Sequence, residues 1–516
     1  MANRRIRIIG GGLAGPEAAL QAAIRGCEVD LYEMRPTRST EAHQTSDFAE
    51  LVCSNSLKSE SENTAPWLLK QEMRRAGSIL LAEADATAVP AGHALAVDRV
   101  EFSKRVAARI EAYTTGPNPR ITVHREEVTR LDEDDPNTLT ILASGPLTSP
   151  ALAAELQRLT GSDHLAFYDS ISPIVDATTI DMSKVYFAAR YDKGTADYIN
   201  CPFTKEEYDR FLEALITAEA VPAKEWEQLP TQELQVVSER LSVDRLDNMQ
   251  PTTDKLQPAT NNLQLSYFEG CLPIEETARR GRDTLRFGPM KPVGLTDPKT
   301  GRWPYAVVQL RQENLRADSY NLVGFQNHLK YGEQNRVLRL IPGLENATFL
   351  RYGQIHRNTY IHAPSLLTET LQLKAHPNIM IAGQLSGVEG YTESIASGML
   401  AGIYAAHLAN GNTPTPAPRL SANGSLTHYI THSETKKFQP ANITFDLLPP
   451  LEEDLRKKIR DKKERHKLQC ERALSAWNQW IESHATPQAT HGVSLKVRAS
   501  QGPQLETLAT LQIQKR

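Results

Sequence analysis

The sequence predicts an α/β protein that opens on a Rossmann-like unit, and three features of its N-terminal segment point there. The β-branched run Ile6, Ile8 and Ile9 leads directly into the glycine turn Gly10-Gly11-Gly12-Leu13-Ala14-Gly15. An Ala-rich helical stretch from Pro16 to Arg25 follows and is closed by Gly26. A second short apolar strand, Val29 to Tyr32, ends at Glu33. Strand, glycine turn, helix and strand in that order make one βαβ unit. The length of 516 residues allows two to four domains at about 150 residues each. With 40% hydrophobic and 23% charged residues, the chain can bury sizeable cores and does not read as disordered.

The remaining elements follow in chain order. Asp132 to Pro136 is an acidic turn, and Leu139 to Ala143 is an apolar strand. From about Ala151 to Gly343 helical and strand-like stretches alternate, with a helix expected over Glu206 to Ala220. Gln232 to Gln264 is polar, without Cys, Gly or aromatic residues, and reads as a surface insertion or flexible loop. Asn378 to Ala382 is a buried-type strand that runs into Gly383, and a small-residue helix is expected from Glu393 to Leu408. Thr413 to Pro418 is a Pro/Thr-rich loop. Leu451, Leu455, Ile459, Cys470, Leu474, Trp477 and Ile481 fall near helical spacing and predict one long C-terminal helix or two. The tail after about Ala485 is polar and expected to be loose.

Charge and cysteine usage narrow the functional classes. The 58 Lys+Arg and 62 Asp+Glu leave a net charge of -4, which excludes nucleic-acid binding by bulk charge but not a local basic patch. The five cysteines (Cys27, Cys53, Cys201, Cys271, Cys470) are odd in number, widely spaced and without a CxxC pair. A disulfide framework or a zinc site is therefore not expected, no metal site is assigned, and a reducing cytoplasm fits. Met1 to Ile9 lacks an apolar core of signal-peptide length, and Ser397 to Ala409 is too short to span a bilayer. A soluble protein with no membrane attachment is expected, and no protein partner is evident.

The glycine turn carries the first chemistry. Gly10, Gly12 and Gly15 match GxGxxG between a strand and a helix. The first glycine permits the tight turn, the second lets backbone approach a pyrophosphate, and the third lets helix and strand pack closely. The helix N-terminus adds oriented N–H donors. Glu33, 21 residues after Gly12, stands where a carboxylate grips adenosine ribose hydroxyls and disfavours a 2′-phosphate. FAD or NAD is thus expected rather than NADP at this site, and Glu17 after the last glycine is a habit of FAD-binding members of the group. Gly383-Gln384, with a glycine-rich turn and a helix after it, is either a second cofactor contact or an ordinary strand-turn-helix.

Two cysteines stand in unusual surroundings. Cys53 lies among Ser54, Asn55 and Ser56, and Cys271 between Gly270 and Leu272-Pro273. A thiol on such a loop is either exposed and nucleophilic or buried and inert; Cys27, Cys201 and Cys470 take the second reading. Arg456 to Lys467 holds eight Lys/Arg against Asp461 and Glu464, a local excess of six positive charges. It is either a phosphate-tracking surface or a solvated helix face.

Several runs occur in a fixed order: Gly10 to Gly15 with Glu17, Tyr32 to Pro36, Phe48 to Leu57 around Cys53, Val89 to Gly92, and Ala94 to Arg99. Phe268 to Cys271, Phe287 to Leu295, Gly383-Gln384, Gly387 to Tyr391 and Phe438 to Pro440 complete the series. Together these resemble the TrmFO family, the folate- and FAD-dependent tRNA (uracil-5-)-methyltransferases related to the GidA flavoproteins, from about Ile6 to about Ile481.

The resemblance implies a GidA-like, Rossmann-like FAD-binding domain over residues 1–160 and 335–440, split by an α+β insertion domain over 161–334. A C-terminal helical segment over 441–485 and a flexible tail over 486–516 would follow. It implies FAD as cofactor, with methylenetetrahydrofolate and NADH or NADPH as co-substrates. Methylation would fall on C5 of uridine 54 in the T arm of tRNA. Uracil C5 is a poor nucleophile until a thiolate adds to C6. Cys271 is assigned to that addition and Cys53 to the thiol near the flavin, with the exchanged assignment open. His356 and Arg357 are candidates for the folate pocket or for structural roles. A ribosomal RNA uridine as target, or a non-catalytic RNA-binding flavoprotein, are the alternatives.

Overall fold

A computed structural model describes residues 4–40, 42–161, 165–192, 195–221, 272–434 and 438–484. The Gln232–Gln264 stretch, Cys271, Lys436, Lys437 and the tail beyond Ala485 lie outside the described residues.

A five-stranded sheet forms the floor of the molecule's functional half. Its order is Ile379–Ile381, Thr138–Leu142, Arg5–Ile9, Val29–Tyr32 and Ile121–His124. All neighbouring pairs are parallel, with Ile6 opposite Val29 and Leu139, and Ile8 opposite Leu31 and Ile141. Parallel strands are covered on both faces, which explains the continuous apolar runs in the sequence. Four of the five strands come from the first 142 residues and the fifth from far downstream.

Helix Ala14–Ile24 follows the glycine turn and is buried along nearly its whole length. It packs against helix Tyr391–Ala409 through small residues. A Cβ on Gly398 would lie 2.3 Å from the Ala14 carbonyl oxygen, and one on Gly402 would lie 2.5 Å from that of Ala18. Only glycine at both positions lets the two backbones come this close. The downstream helix begins at Tyr391, two residues before the expected Glu393, because Gly390 (φ 111°) reverses the incoming chain and acts as the N-cap.

Between the two contributions to the parallel sheet lies an antiparallel sheet of six strands. Its order is Tyr186–Ala188, Tyr198–Phe203, Ala306–Gln312, Ser319–Leu322, Ile174–Asp176 and Phe349–Arg351. It has its own apolar core, with Phe203, Phe211, Leu310, Leu322 and Phe325 buried together. Helix Lys205–Ile216 lies on this core and starts with a capping box between Thr204 and Glu207.

The C-terminal stripe resolves into two helices, Glu453–Lys458 and Lys462–Ser483. They are broken at Ile459–Asp461, where the Asp461 carboxylate caps the second helix by accepting from the Lys463 N–H. The expected stripe is shorter than its periodicity suggested, since Leu455 is 39% exposed. Cys470, Trp477 and Trp480 are buried, and the Trp477 indole N–H donates to the Glu72 carbonyl oxygen at 2.6 Å. No described helix is long and apolar enough to cross a membrane.

Candidate active site

The glycine turn opens onto a cavity of about 360 Å³ above the C-terminal ends of the parallel strands. Open α/β sheets place their ligands at that edge. Gly10 (φ 118°) takes a backbone conformation that favours glycine, and a Cβ there would strike the Ala143 carbonyl oxygen at 2.3 Å. A Cβ on Gly15 would lie 1.8 Å from the Gly10 carbonyl oxygen, so this residue serves helix–turn packing. Gly12 differs: apart from its own chain neighbours, no protein atom lies within 4 Å of where its Cβ would be. Gly10, Gly11, Gly12, Leu13 and Ala14 line the cavity, and Gly15 is not among the lining residues.

Glu33 stands at the same wall and organises it. One carboxylate oxygen accepts from the Gly11 N–H at 2.7 Å, and the other accepts from the Arg35 N–H and Nε. Arg35, 2% exposed, also pairs with Glu50 at 3.0 Å. Burial alone would raise the Glu33 pKa; the Arg35 bond and charge, with the Arg35 and Gly11 N–H groups, more than offset it and hold the carboxyl below its ordinary value. Removing Arg35 would leave buried negative charge uncompensated, a change that typically costs about 3–5 kcal/mol.

Glu17 lies away from this wall. It is fully buried and accepts from the Ile79 and Leu80 N–H groups at the start of helix Ile79–Ala86 and from Gln21. Its work is to join two helices, not to contact a dinucleotide.

The opposite wall is supplied by the distant segment. Gly383, Gln384, Gly390, Tyr391 and Ser394 line the cavity. Gly383 (φ 73°) ends the fifth strand, and its N–H donates to the Ser397 hydroxyl. The Gln384 side chain is fixed by donating to Glu389 at 2.6 Å. Lys58 Nζ bridges to this segment, reaching Glu393 at 2.6 Å and Asn442 at 2.5 Å.

Cys53 lines the same cavity. The Tyr391 hydroxyl accepts from the Cys53 N–H at 2.7 Å and from the Ser54 N–H at 3.3 Å, tying the cysteine loop to the start of the downstream helix. The thiol lies 3.7 Å from the Ser170 carbonyl oxygen. Arg99 donates to the Leu51 and Cys53 carbonyl oxygens and is held by an ion pair with Glu313 at 2.5 Å. The guanidinium groups of Arg99 and Arg351 both interact electrostatically with the thiol. Among the other described thiols, burial raises Cys27 to about 11, Cys470 to about 12, and Cys201 upward.

The structure therefore brings together the glycine turn, Glu33, Cys53, Gly383 and Gln384. Cys271 and the side chains of His356 and Arg357 lie outside the described residues. Sequence reading gave no role to Lys58, Arg99 or Tyr391. Their partners lie 335, 214 and 338 residues away, so no local pattern marks them.

A dinucleotide fits this wall on the structure's own terms. The open space at Gly12 admits a pyrophosphate, Glu33 stands beside the turn, and the cavity continues to Tyr391 and Cys53. Among the described residues one group has metal-ligand character, Glu369, His428 and His432; none of the three lines the cavity.

The chain matches the family model described as Glucose inhibited division protein A over residues 5–242 and 230–413. It is 65% identical over 479 residues to the Koribacter versatilis methylenetetrahydrofolate–tRNA-(uracil-5-)-methyltransferase TrmFO, covering 93% of this chain and 98% of that protein. The Enterococcus faecalis protein of the same name is 50% identical over 480 residues, covering 93% and 99%. Aquifex aeolicus GidA, in its form II crystal, is similar in fold with a TM-score of 0.62 at 16% identity, covering 93% of this chain and 74% of that one.

Proposed function

The chain belongs to the TrmFO family of methylenetetrahydrofolate–tRNA-(uracil-5-)-methyltransferases within the GidA group, and from that membership we propose how its residues divide the work. It is a folate-dependent tRNA methyltransferase with FAD as cofactor. The observation that carries this reading is one continuous cavity running from the Gly10–Gly15 turn to Cys53.

Gly10, Gly11, Gly12, Leu13 and Ala14 would hold the FAD pyrophosphate, with Gly15 closing the packing behind them. Glu33 would meet the adenosine ribose, and Gly383 and Gln384 would meet the far end of the cofactor. FAD, when bound, supplies the reducing equivalents that turn the carbon donated by methylenetetrahydrofolate into a methyl group. The reductant that recharges it is NADH or NADPH.

The protein's own part is to hold and activate. Tyr391 and Arg99 fix the backbone of the Cys53 loop, so that its thiol is presented to the cavity in one position. Cys271 is the nucleophile: its thiolate adds to C6 of the target uracil and places electron density on C5. After carbon transfer the C5 proton leaves and the C6–sulfur bond breaks, which restores the ring and the thiolate. Cys53 serves beside the flavin. The target is uridine 54 in the T arm, and the enzyme works in the cytoplasm.

The test is methylation of undermodified tRNA with methylenetetrahydrofolate and NADH or NADPH, alongside S-adenosylmethionine as an alternative donor. The expected outcome is folate-dependent, S-adenosylmethionine-independent methyl incorporation at uridine 54. Methyl appearing only in ribosomal RNA would assign the same chemistry to another target. RNA binding without any turnover would remove the enzymatic reading.

A further inference from the structure

A second cavity, of about 440 Å³, lies where the chain from Phe445 to Gln469 folds back on itself. Buried Leu448 and Leu451 form its apolar part. Arg456, Lys462, Arg465 and His466 bring positive or protonatable groups to the same wall, against the single acid Asp446. Arg456 and Lys462 are exposed, while Arg465 and His466 are half-buried.

The wall is built rather than accidental. The break between the two C-terminal helices at Ile459–Asp461 lets Arg456, from one helix, share a wall with Lys462 and Arg465 from the next. Arg472 donates to the Pro450 carbonyl oxygen at 2.9 Å and fastens the preceding segment to the long helix. Phe445 and His466 stack face to face, with ring centroids 3.9 Å apart. Among the described residues, none of Arg456, Lys462 and Arg465 is in an ion pair, whereas Lys457 nearby pairs with Glu453 at 2.7 Å. Three cations facing one cavity without acid partners repel one another, and an anion bearing several oxygens relieves that repulsion.

We propose that this cavity seats a backbone phosphodiester of the substrate RNA, with Arg456, Lys462 and Arg465 as its charged donors and His466 as a fourth. The proposal rests on the tRNA-methyltransferase reading and adds to it a specific anchor away from the cofactor cavity. His466 gives the seat a signature. Burial first, then Lys462 and Arg465 on its own helix, lower its pKa, while Asp446 raises it; Arg456 faces the same cavity from the short helix. His466 is therefore neutral when the cavity holds no anion at neutral pH, and an entering phosphate draws a proton onto the ring. RNA binding should take up a proton and tighten as pH falls from 7.5 to 6.

The experiment uses the full-length flavoprotein and an unmodified tRNA transcript, with affinity measured over a range of salt concentrations. One triple variant changes the cavity: Arg456→Gln, Lys462→Gln and Arg465→Gln. The other removes equal charge from the same helices outside the cavity: Lys458→Gln, Lys463→Gln and Lys467→Gln. The cavity triple should weaken tRNA binding about tenfold or more and flatten the log–log salt slope by roughly 0.7–0.9 for each phosphate no longer neutralised. The outer triple should change affinity no more than about threefold. Equal losses in the two triples would assign the effect to bulk charge and overturn the seat.

His466→Gln alone should abolish the pH dependence of affinity and leave flavin content unchanged; a pH dependence that persists overturns the role of His466. This single variant also carries the test if the cavity triple does not fold. Inorganic phosphate that perturbs the His466 resonance while the cavity triple keeps wild-type tRNA affinity would assign the cavity to small anions and overturn the proposal. Wild-type protein that methylates tRNA while both triples bind it normally removes the seat and leaves the enzyme. Wild-type protein that neither binds nor methylates tRNA removes both.

Discussion

A valine at Gly12 and a valine at Gly15 should fail for different reasons. The Gly12 side chain would enter open space, so the protein should fold with the melting temperature of the flavin-free wild type but purify colourless, because the pyrophosphate's approach is blocked. At Gly15 the Cβ has a carbonyl oxygen 1.8 Å away, and the variant should lose folded protein itself. Visible absorbance and thermal melting separate the two, and a yellow Gly12→Val protein would refute the assignment of the turn to FAD. For the thiols, tRNA with 5-fluorouridine at the target should form a covalent complex with the native enzyme, since fluorine cannot leave as a proton does. Cys271→Ala should prevent the complex while flavin binding survives; a complex that instead requires Cys53 would exchange the two roles. Glu72 gives a pH prediction. It is buried, its carboxylate accepts from the Ala422 and Asn423 N–H groups, and burial pushes its pKa up to about 7 in spite of those bonds. The folded chain thus holds a proton there more tightly than the unfolded chain, whose glutamate titrates near 4.3. The stability this proton contributes is full below the unfolded value and is lost as pH rises through about 7. Melting temperature should fall between pH 6 and pH 8 in the wild type, and this part of the fall should vanish in Glu72→Gln.

At the scale of elements, the pairing of Ala14–Ile24 with Tyr391–Ala409 is the most exacting contact. Gly402→Ala adds one methyl group 2.5 Å from a backbone oxygen, an overpacking change typically worth about 1–3 kcal/mol. The helix it displaces begins at the glycine turn, so FAD affinity should fall together with stability in a cofactor-release titration. Stability falling alone would uncouple the helix pair from the site. The opening βαβ unit was legible from the sequence because its signals are local: β-branched residues, a glycine turn, an alanine-rich helix and a carboxylate at the right distance. Strand Ile379–Ile381 was legible for the same reason, since a short apolar run meeting Gly383 needs no partner to be recognised. The wall opposite the turn was legible only at Gly383 and Gln384. Tyr391 reads as one more aromatic residue until it accepts from the Cys53 N–H, and Lys58 reads as a surface lysine until it meets Glu393 and Asn442. Glu17 marks the sequence as that of an FAD-binding group, and its carboxylate holds helix Ile79–Ala86.

For the molecule as a whole, the last of the described residues is anchored: the His484 ring stacks on Trp480 at 4.2 Å and accepts from the Thr415 N–H at 3.3 Å. A chain ending after His484 should therefore keep its flavin content and melting temperature, as absorbance and calorimetry would show; loss of either would give the last 32 residues a structural role. The parallel sheet, completed by a strand from far downstream, also sets the timing of the protein's birth. Thr138–Leu142 leaves the ribosome well before its neighbour Ile379–Ile381 exists. At about 5–20 residues per second, that strand waits on the order of ten to fifty seconds with one hydrogen-bonding edge uncovered. The cavity gains Asn442 only later still. Cofactor capture is thus a late event in synthesis, and the nascent chain must stay unaggregated through that interval without the ligand that will eventually stabilise it. Chains stalled on the ribosome before residue 379 should bind no flavin, however long they are given.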